Sequence, residues 1–192
     1  MILANRLRAA LQDNHSSDLL TGDVGADLSP GTPAAVLIAI TDQPEPGVVL
    51  TVRREHLRTH AGQIAFPGGR IDPGEGAVAA ALREAWEEIG LDPATVDVIA
   101  AIDPYCTITN YNVTPVVGVI PPDLPLSPHE GEVADWFEAP LTHLIDPANH
   151  VRQSVTFQGQ QRRYYEIMWG RRRIWGATAA MIVNLSRRLQ WT

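Results

Sequence analysis

The spacing of apolar residues changes along the chain from helical to strand-like and back again. In residues 2–12 the apolar side chains recur every three or four positions, which predicts an amphipathic helix. Residues 13–33 are rich in Asp, Ser, Gly and Pro, a composition typical of a loop or linker. We therefore expect an N-terminal helix and linker over residues 1–33, and a separate folded domain over residues 34–192.

Short runs of apolar and β-branched residues, bounded by turn-forming residues, predict the strands. The predicted strands are 34–40, 48–53, 96–102, 113–120, 133–138 and 163–169. The alanine-rich stretch 76–89 predicts a helix that ends at Gly90, and residues 176–190 predict an amphipathic C-terminal helix. Strands combined with a central and a terminal helix indicate a single layered α/β domain.

Composition and charge exclude several classes of partner. The chain has 192 residues, of which 45% are apolar and 19% charged, and its formal net charge is −7. An acidic surface repels nucleic acid and anionic lipid, so we expect neither a nucleic acid nor a membrane as partner. We find no signal peptide, no apolar run of about 20 residues and a single cysteine, Cys106, and therefore expect a cytoplasmic protein.

Three glutamates lie near the C-terminal end of the predicted helix 76–89. The side chains expected to face the core, at helical spacing, are Val78, Leu82, Ala85 and Ile89. At about 100° per residue, Glu84 and Glu88 lie within about 40° of each other and flank this apolar stripe. Glu87 points away from the core, so we expect it to be the most exposed of the three.

The positions of these glutamates are unfavourable in an isolated helix. Glu84 and Glu88 form a like-charge pair, and Glu87 and Glu88 lie in the last turn, where the helix dipole disfavours negative charge. A hard divalent cation would reverse both penalties, because carboxylate oxygens are its preferred ligands. For the glutamates alone, a solvated acidic face is the simpler interpretation.

The residues around the glutamates resemble the Nudix box, G-x5-E-x7-R-E-U-x-E-E-x-G-U, in which U is a bulky aliphatic residue. The fixed places of the box are filled by Gly69, Glu75, Arg83, Glu84, Glu87, Glu88 and Gly90. Leu91 fits the last U, and Ala85 is smaller than the usual aliphatic residue. The resemblance implies a Nudix hydrolase, an α/β/α sandwich with a mixed sheet, in which a catalytic loop–helix–loop holds a cation and activates water.

The same resemblance implies roles for individual residues. The helical geometry ranks Glu84 and Glu88 first as ligands of Mg²⁺ or Mn²⁺ and Glu87 second, and the resemblance implies the backbone carbonyl of Gly69 as a further ligand. Arg83 joins the three glutamates in the expected catalytic set. Together with Glu75, the first glutamate of the box, Arg83 would brace the loop. An ordinary surface ion pair is an equally good interpretation of these two residues.

A general base is expected in the loop before the predicted strand 133–138, where this superfamily often supplies a further carboxylate. Glu130 and Glu132 both lie there, and Glu132 is our candidate for a catalytic role. An ordinary solvated acid is an equally good interpretation, because the sequence gives no distance to the attacking water.

Residues upstream of the box resemble the signature of the coenzyme A diphosphatase subfamily. In words, this is L-L-T-x-R-S/A, three residues, R, three residues, G, three residues and F-P-G-G. The matching residues are Thr51, Arg53, Arg58, Gly62, Phe66, Pro67, Gly68 and Gly69. Val49 departs conservatively from the pattern, and Arg54 replaces a small residue with a charged one.

Two downstream segments also resemble this subfamily. Residues 107–118 (TITNYNVTPVVG) are similar to its T-x-T/S-G-F-x-V-T-P-V-V-G run, with Asn110 in the place of a glycine. Asn is the next best residue for a left-handed backbone. Residues 173–179 (RIWGATA) are similar to its R-I-W-G-x-T-A segment before the last helix. The resemblance implies coenzyme A as the substrate, and we expect a monomer or a homodimer.

Coenzyme A carries a 3′-phosphate and a diphosphate, so an acidic protein needs a local basic cluster to bind it. Arginine is suited to bidentate binding of phosphate. The candidate substrate-binding residues are Arg53, Arg54, Arg58, His60 and Phe66. The other basic groups, residues 162–163 and 171–173, flank a predicted hairpin, and we expect them to be charged turns.

Two alternatives remain open. The first is a Nudix hydrolase that acts on another nucleoside diphosphate derivative, such as NADH or ADP-ribose. The second is a non-catalytic Nudix module that only binds a nucleotide-like ligand. Such a module should have lost a metal carboxylate, and none is missing from the box.

Overall fold

The computed structural model describes residues 2–13, 18–23, 31–54, 62–157 and 160–190. The helices are α1 (Ile2–Asp13), α2 (Ala77–Ile89), α3 (Leu141–Ile145) and α4 (Ala177–Leu189). The strands are β1 (Thr32–Thr41), β2 (Gly47–Arg53), β3 (Ile64–Ala65), β4 (Gly68–Arg70), β5 (Asp97–Ala101), β6 (Tyr105–Cys106), β7 (Tyr111–Ile120), β8 (Val133–Pro140), β9 (Val151–Phe157), β10 (Gln160–Trp169) and β11 (Arg172–Trp175). In this part of the chain, no helix is long and apolar enough to cross a membrane.

A mixed sheet of eight strands forms the centre of the fold. Its main path runs β3-β2-β1-β7-β5, with β4 paired to β1, β6 to β7 and β8 to β2. Strands β1 and β7 are parallel, from Thr32 beside Tyr111 to Thr41 beside Ile120. The other pairs in this sheet are antiparallel. Asn110, just before β7, has a φ of 62°, which confirms the predicted left-handed turn.

Strand β1 is buried on both faces. Leu37 and Ala39 pack in a cluster with residues of α2, whereas Ile38 and Ile40 pack in a cluster with residues of α1 and α4. Successive side chains of a strand point to opposite faces, so an apolar strand of this kind requires a layer on each side. The result is the predicted α/β/α sandwich, with α2 on one face and α1 and α4 on the other.

Helix α1 packs in the same core as α4. Leu3, Leu7 and Leu11 are buried and belong to the cluster that includes the C-terminal helix. The segment after α1 is also attached, because the Asn184 amide of α4 forms two hydrogen bonds of 2.8 Å with the backbone of Leu20. The division of the chain at residue 34 stays a prediction, but residues 2–13 supply core side chains.

A second, antiparallel sheet consists of β9, β10 and β11. Within the hairpin expected here, the sequence pattern gives bounds only for β10, because β9 and β11 contain several polar residues and no long apolar run. The backbone of β11 leads directly into α4, and the Thr178 hydroxyl near the start of that helix donates to the carbonyl of Ile64 in β3 at 3.2 Å. This contact brings the C-terminal segment to the end of the main sheet.

Candidate active site

The helix that carries the glutamates packs against the sheet mainly through alanine. Ala81 and Ala85 are fully buried, and small side chains allow a close approach of the helix to the sheet. Val78 and Leu82 face the core as predicted and pack against the same cluster, but they are only half-buried. The buried face of α2 is instead rotated toward Glu88, which is 4% exposed.

The C-terminal end of α2 is covered by the loop between β7 and β8. The helix ends at Gly90, whose φ of 68° confirms the predicted stop. The N–H of Ser127 donates to the carbonyl of Ile89 at 2.9 Å, and the N–H of His129 donates to the carbonyl of Glu88 at 2.7 Å. These bonds satisfy carbonyls that the end of a helix leaves unpaired. They hold the loop of the candidate general base beside the catalytic helix.

Glu88 is the most buried of the three glutamates. Its Oε2 accepts a hydrogen bond of 3.1 Å from the N–H of Gly68, and its Oε1 lies 3.8 Å from Nη1 of Arg53. Burial raises the pKa of Glu88 to about 7, although both contacts favour the charged form. The negative charges of Glu84 and Glu132 act in the same direction as burial.

The Glu84 carboxylate lies directly against the backbone of Gly69. A Cβ at Gly69 would lie 2.5–2.6 Å from the three carboxylate atoms, so a larger residue would displace them. Nη1 of Arg83 donates a hydrogen bond of 2.9 Å to Oε1 of Glu84. Burial raises the pKa of Glu84, and the contact with Arg83 opposes this rise.

Arg83 connects the catalytic loop to the helix. Its Nε and Nη2 donate to the two oxygens of Glu75 at 3.1 and 3.0 Å, and Nη2 also donates to the carbonyl of Arg70 at 3.0 Å. Its Nη1 donates to Glu84 at 2.9 Å and to Glu87 at 3.2 Å. Hydrogen bonding to Arg83 lowers the pKa of Glu75, and the hydrogen bonds to Glu75 and Glu84 raise the pKa of the Arg83 guanidinium. Arg83 thus holds the loop against the helix.

Glu87 and Glu132 lie on the open side of the site. The Glu87 side chain is 56% exposed, compared with 17% for Glu84 and 5% for Glu88, which confirms its predicted orientation. Glu132 is exposed as well, and its charge raises the pKa of both Glu84 and Glu88, so it lies near the two buried carboxylates. Its function as a general base stays a prediction.

The glutamates of α2 have carboxylate oxygens, the ligand type that a hard divalent cation prefers. Burial keeps the pKa of Glu84 and Glu88 high, so the fold holds their charges at a cost in stability that such a cation would relieve. Within the described ranges, no three Asp, Glu, His or Cys side chains are arranged so that they could hold a metal ion as they stand. Arg83 occupies only one oxygen of Glu84 and one oxygen of Glu87, so each carboxylate keeps an oxygen that could bind a metal ion.

The candidate substrate-binding arginines divide into two groups. Arg53 reaches Glu88, while its buried Nε meets no hydrogen-bond acceptor among the described residues. The same is true of the buried Nε of Arg54 within those ranges. Arg58 and His60 lie outside the described residues, so their contribution stays a prediction.

A cavity of about 390 Å³ lies beside the catalytic loop. Gly68 and Gly69 form one part of its wall, and the rest comes mainly from residues 63–66, 107–111 and 175–178. These are parts of the three segments that resemble the coenzyme A diphosphatase subfamily. Most of the lining side chains are apolar, and they include the predicted Phe66, which is itself buried.

Sequence reasoning missed several residues of this cavity, which we call the apolar cavity. Asp23 lies in the stretch predicted as linker, yet its carboxylate accepts hydrogen bonds from the Tyr105 hydroxyl at 2.6 Å and the Ile108 N–H at 2.8 Å. Arg70 and Tyr111 also line the cavity and are joined by a hydrogen bond of 3.0 Å. Tyr111 occupies the aromatic place of the downstream run, a signal that could have identified it, whereas no sequence pattern marks Asp23.

Comparison with known proteins identifies the family. The NUDIX domain model matches residues 31–158. A protein of Escherichia coli SMS-3-5, named uncharacterized Nudix hydrolase NudL, is 46% identical over 154 residues, which cover 80% of each chain. Its counterpart in Escherichia coli K12 is 45% identical over the same shares. The chain therefore belongs to the Nudix family, hydrolases that act on diphosphate bonds and generally use divalent metal ions.

Solved Nudix structures share the fold of this chain. The crystal structure of RenU, a Nudix hydrolase from M. smegmatis, has a TM-score of 0.52 and 22% identity, covering 67% of this chain and 82% of that one. A binary complex of the C. elegans Ap4A hydrolase has a TM-score of 0.50 and 19% identity, covering 56% and 80%. At these identities the likeness supports the fold alone.

Proposed function

We propose that this Nudix hydrolase cleaves the diphosphate bond of coenzyme A to 3′,5′-ADP and 4′-phosphopantetheine, with Mg²⁺ or Mn²⁺ as its cofactor. One observation carries the proposal. Three segments that are far apart in the sequence, and that each resemble the coenzyme A diphosphatase subfamily, line a single cavity beside the catalytic loop. Distant segments that meet at one cavity are expected to recognise one ligand.

The apolar cavity is suited to an uncharged part of coenzyme A. Ile64, Phe66 and Trp175 supply apolar surface, while Thr107 and Thr109 supply hydroxyl groups. Its volume of about 390 Å³ is at the lower end for a ligand pocket, so it would hold one portion of the substrate, such as the adenine ring or the pantetheine arm. The diphosphate would lie at the end of the cavity formed by the catalytic loop.

The glutamates would supply the chemistry of hydrolysis. A bound divalent ion neutralises charge on the reacting phosphorus and makes a bound water more acidic. Glu84 and Glu88 would hold the ion, with Glu87 and the carbonyl of Gly69 as further ligands. Glu132 is the candidate to accept the proton of the attacking water, because its charge acts on both buried glutamates and it therefore lies near the proposed metal site.

A panel of substrates tests the proposal. The purified protein is incubated with Mg²⁺ or Mn²⁺ and coenzyme A, NADH or ADP-ribose in 18-oxygen water, and the products are identified by mass spectrometry. We expect the highest kcat/KM for coenzyme A and the release of 3′,5′-ADP. The Glu84→Gln variant should lose this activity and Glu130→Gln should keep it, which excludes a contaminating hydrolase.

Two results would contradict the proposal. Release of AMP from NADH or ADP-ribose without cleavage of coenzyme A would favour another substrate class within the family. Absence of cleavage of all three substrates, in a protein that binds nucleotide, would favour the non-catalytic module.

A further inference from the structure

A second cavity, of about 450 Å³, lies at the turn between β10 and β11. The consecutive arginines 171–173 line it, and we call it the arginine cavity. Gln63, Ile64 and Trp175 line both this cavity and the apolar cavity. The two cavities are therefore neighbours, and a ligand that occupies one can extend into the other.

Two of the three arginines are held in place by the sheet. Arg172 donates to Asp135 at 3.0 Å, and its guanidinium lies 3.8 Å from the centre of the Phe137 ring. Arg173 forms an ion pair with Glu166. Each carboxylate occupies only part of a guanidinium, which carries several N–H donors, so both arginines retain the capacity to donate to an anion.

Arg171 gives the arginine cavity its positive balance, because Asp135 and Glu166 offset the other two arginines. Its side chain is exposed and, within the described part of the chain, forms no ion pair. In a protein with a net charge of −7, an arginine of this kind in a concave site creates a local attraction for anions. The expectation that residues 171–173 are merely a charged turn is therefore incomplete.

We propose that the arginine cavity binds the 3′-phosphate of coenzyme A. The inference rests on the proposed function, which puts the diphosphate at the catalytic loop. Coenzyme A has a second anionic centre across one ribose from the diphosphate, and the arginine cavity adjoins the cavity that begins at this loop. Arg53 is a poorer candidate for the 3′-phosphate, because it faces the catalytic carboxylate of Glu88.

Binding without catalysis tests this subsite directly. Affinities for 3′,5′-ADP and 5′-AMP are measured by isothermal titration in the presence of a chelator. We expect wild type to bind 3′,5′-ADP about tenfold more tightly, the effect of one charge-assisted phosphate contact. Arg171→Glu should reduce this preference to less than about threefold. Arg163→Glu is the matched control, because Arg163 is exposed on β10, lines neither cavity and changes the net charge equally.

Hydrolysis provides the second measurement. Arg171→Glu should raise KM for coenzyme A about tenfold with little change in kcat, and should leave 3′-dephospho-coenzyme A unaffected. A wild type without preference for 3′,5′-ADP, or equal losses in Arg171→Glu and Arg163→Glu, would overturn the subsite.

The two hypotheses fail in different ways. Cleavage of coenzyme A that does not depend on Arg171 leaves the proposed function standing and rejects the subsite. A preference for 3′,5′-ADP that depends on Arg171, in a protein that does not cleave coenzyme A, supports the subsite and rejects the proposed function.

Discussion

Glu88 is an ionisable residue on a helix face that otherwise packs against the sheet. Its neighbours on this face include the buried Ala85 and Ile89. Burial deprives the Glu88 carboxylate of its hydration, a cost in free energy that an apolar side chain at this position would not have. The hydrogen bond from Gly68 and the more distant charge of Arg53 compensate only in part, because the pKa remains at about 7. The fold thus retains a carboxylate that reduces its stability, as is expected of a functional residue.

The ionisation of Glu88 should make the metal-free protein less stable as the pH rises. Folding raises the pKa of Glu88 from 4.5 to about 7, so between these values the folded state binds more protons than the unfolded state. A rise in pH through this window therefore lowers the free energy of unfolding. Glu88→Gln should match wild type near pH 4.5 and exceed it above pH 7, by on the order of 3 kcal/mol.

Urea unfolding in chelator at several pH values measures this difference. Glu130→Gln, which removes an exposed glutamate of the neighbouring loop, is the control for the loss of one carboxylate charge. A Glu88→Gln protein that is less stable than wild type at pH 8 would show that the charge of Glu88 has a stabilising partner, and would weaken its interpretation as a metal ligand.

The buried glutamates should also be the most important for turnover. We expect Glu84→Gln and Glu88→Gln to lower kcat at least about a hundredfold, because each removes a charge that, by the proposal, would hold the metal ion. Glu87→Gln should cost less, since this side chain is 56% exposed and is bound to Arg83. Steady-state kinetics with Mg²⁺ or Mn²⁺ measures these effects, and a turnover equal to wild type in either of the first two variants would contradict the ligand assignment.

At the scale of elements, the close approach of β4 and α2 shapes the site. Gly69→Ala would add a Cβ 2.5 Å from the Glu84 carboxylate without any backbone strain, since Gly69 does not have a positive φ. We expect kcat to fall at least about tenfold, because Glu84 must move out of its position while the fold is retained. Gly76→Ala is the control in the same loop–helix, because nothing lies within 4 Å of its added Cβ.

Circular dichroism and kcat of both variants check this prediction. If Gly69→Ala keeps full activity, the contact between Gly69 and Glu84 does not determine a carboxylate position that matters for turnover. If Gly76→Ala is equally inactive, the loop tolerates no side chain for a reason other than this contact.

The elements differ in how far the sequence predicts them. Helix α2 combines strong helix formers with Gly90, and β1 and β7 are long apolar runs, so all three are predicted to within two residues at each end. Strands β3 and β4 have only two and three residues, too few for any periodicity. The loop over the end of α2 is attached by backbone hydrogen bonds, which leave no pattern in the side chains.

For the whole molecule, sequence reasoning identifies the parts of the site but not how they meet. The Nudix box predicts the acidic helix and its glutamates because their spacing in one helix fixes their relative positions. The apolar cavity combines residues 63–69, 107–111 and 175–178, and their proximity depends on the sheet order and on α4. The same holds for the arginines at 171–173. The sequence shows that this segment is basic, but it does not show that the segment lies beside the apolar cavity.

The N-terminal helix provides a test of how far the folded unit extends. The sequence pattern separates residues 1–33 from the domain, whereas Leu7 is fully buried in the core cluster that contains α4. If α1 is part of one cooperative unit, Leu7→Ala should lower the free energy of unfolding by about 2–5 kcal/mol. Ile2→Ala is the matched control, because Ile2 lies in the same helix and is 80% exposed, so its loss should cost less than about 0.5 kcal/mol.

Urea unfolding, followed by both circular dichroism and tryptophan fluorescence, distinguishes the two arrangements. One transition that shifts to lower urea in Leu7→Ala, with the same midpoint for both signals, means that α1 unfolds together with the sheet. Equal stability of Leu7→Ala and Ile2→Ala would mean that α1 is an appendage.

If α1 and the sheet form a single unit, the loss of the Leu7 side chain should also affect substrate binding, because Asp23 follows α1 in the chain and lines the apolar cavity. Leu7→Ala should then raise KM for the substrate more than Ile2→Ala does, at a temperature where both variants are folded.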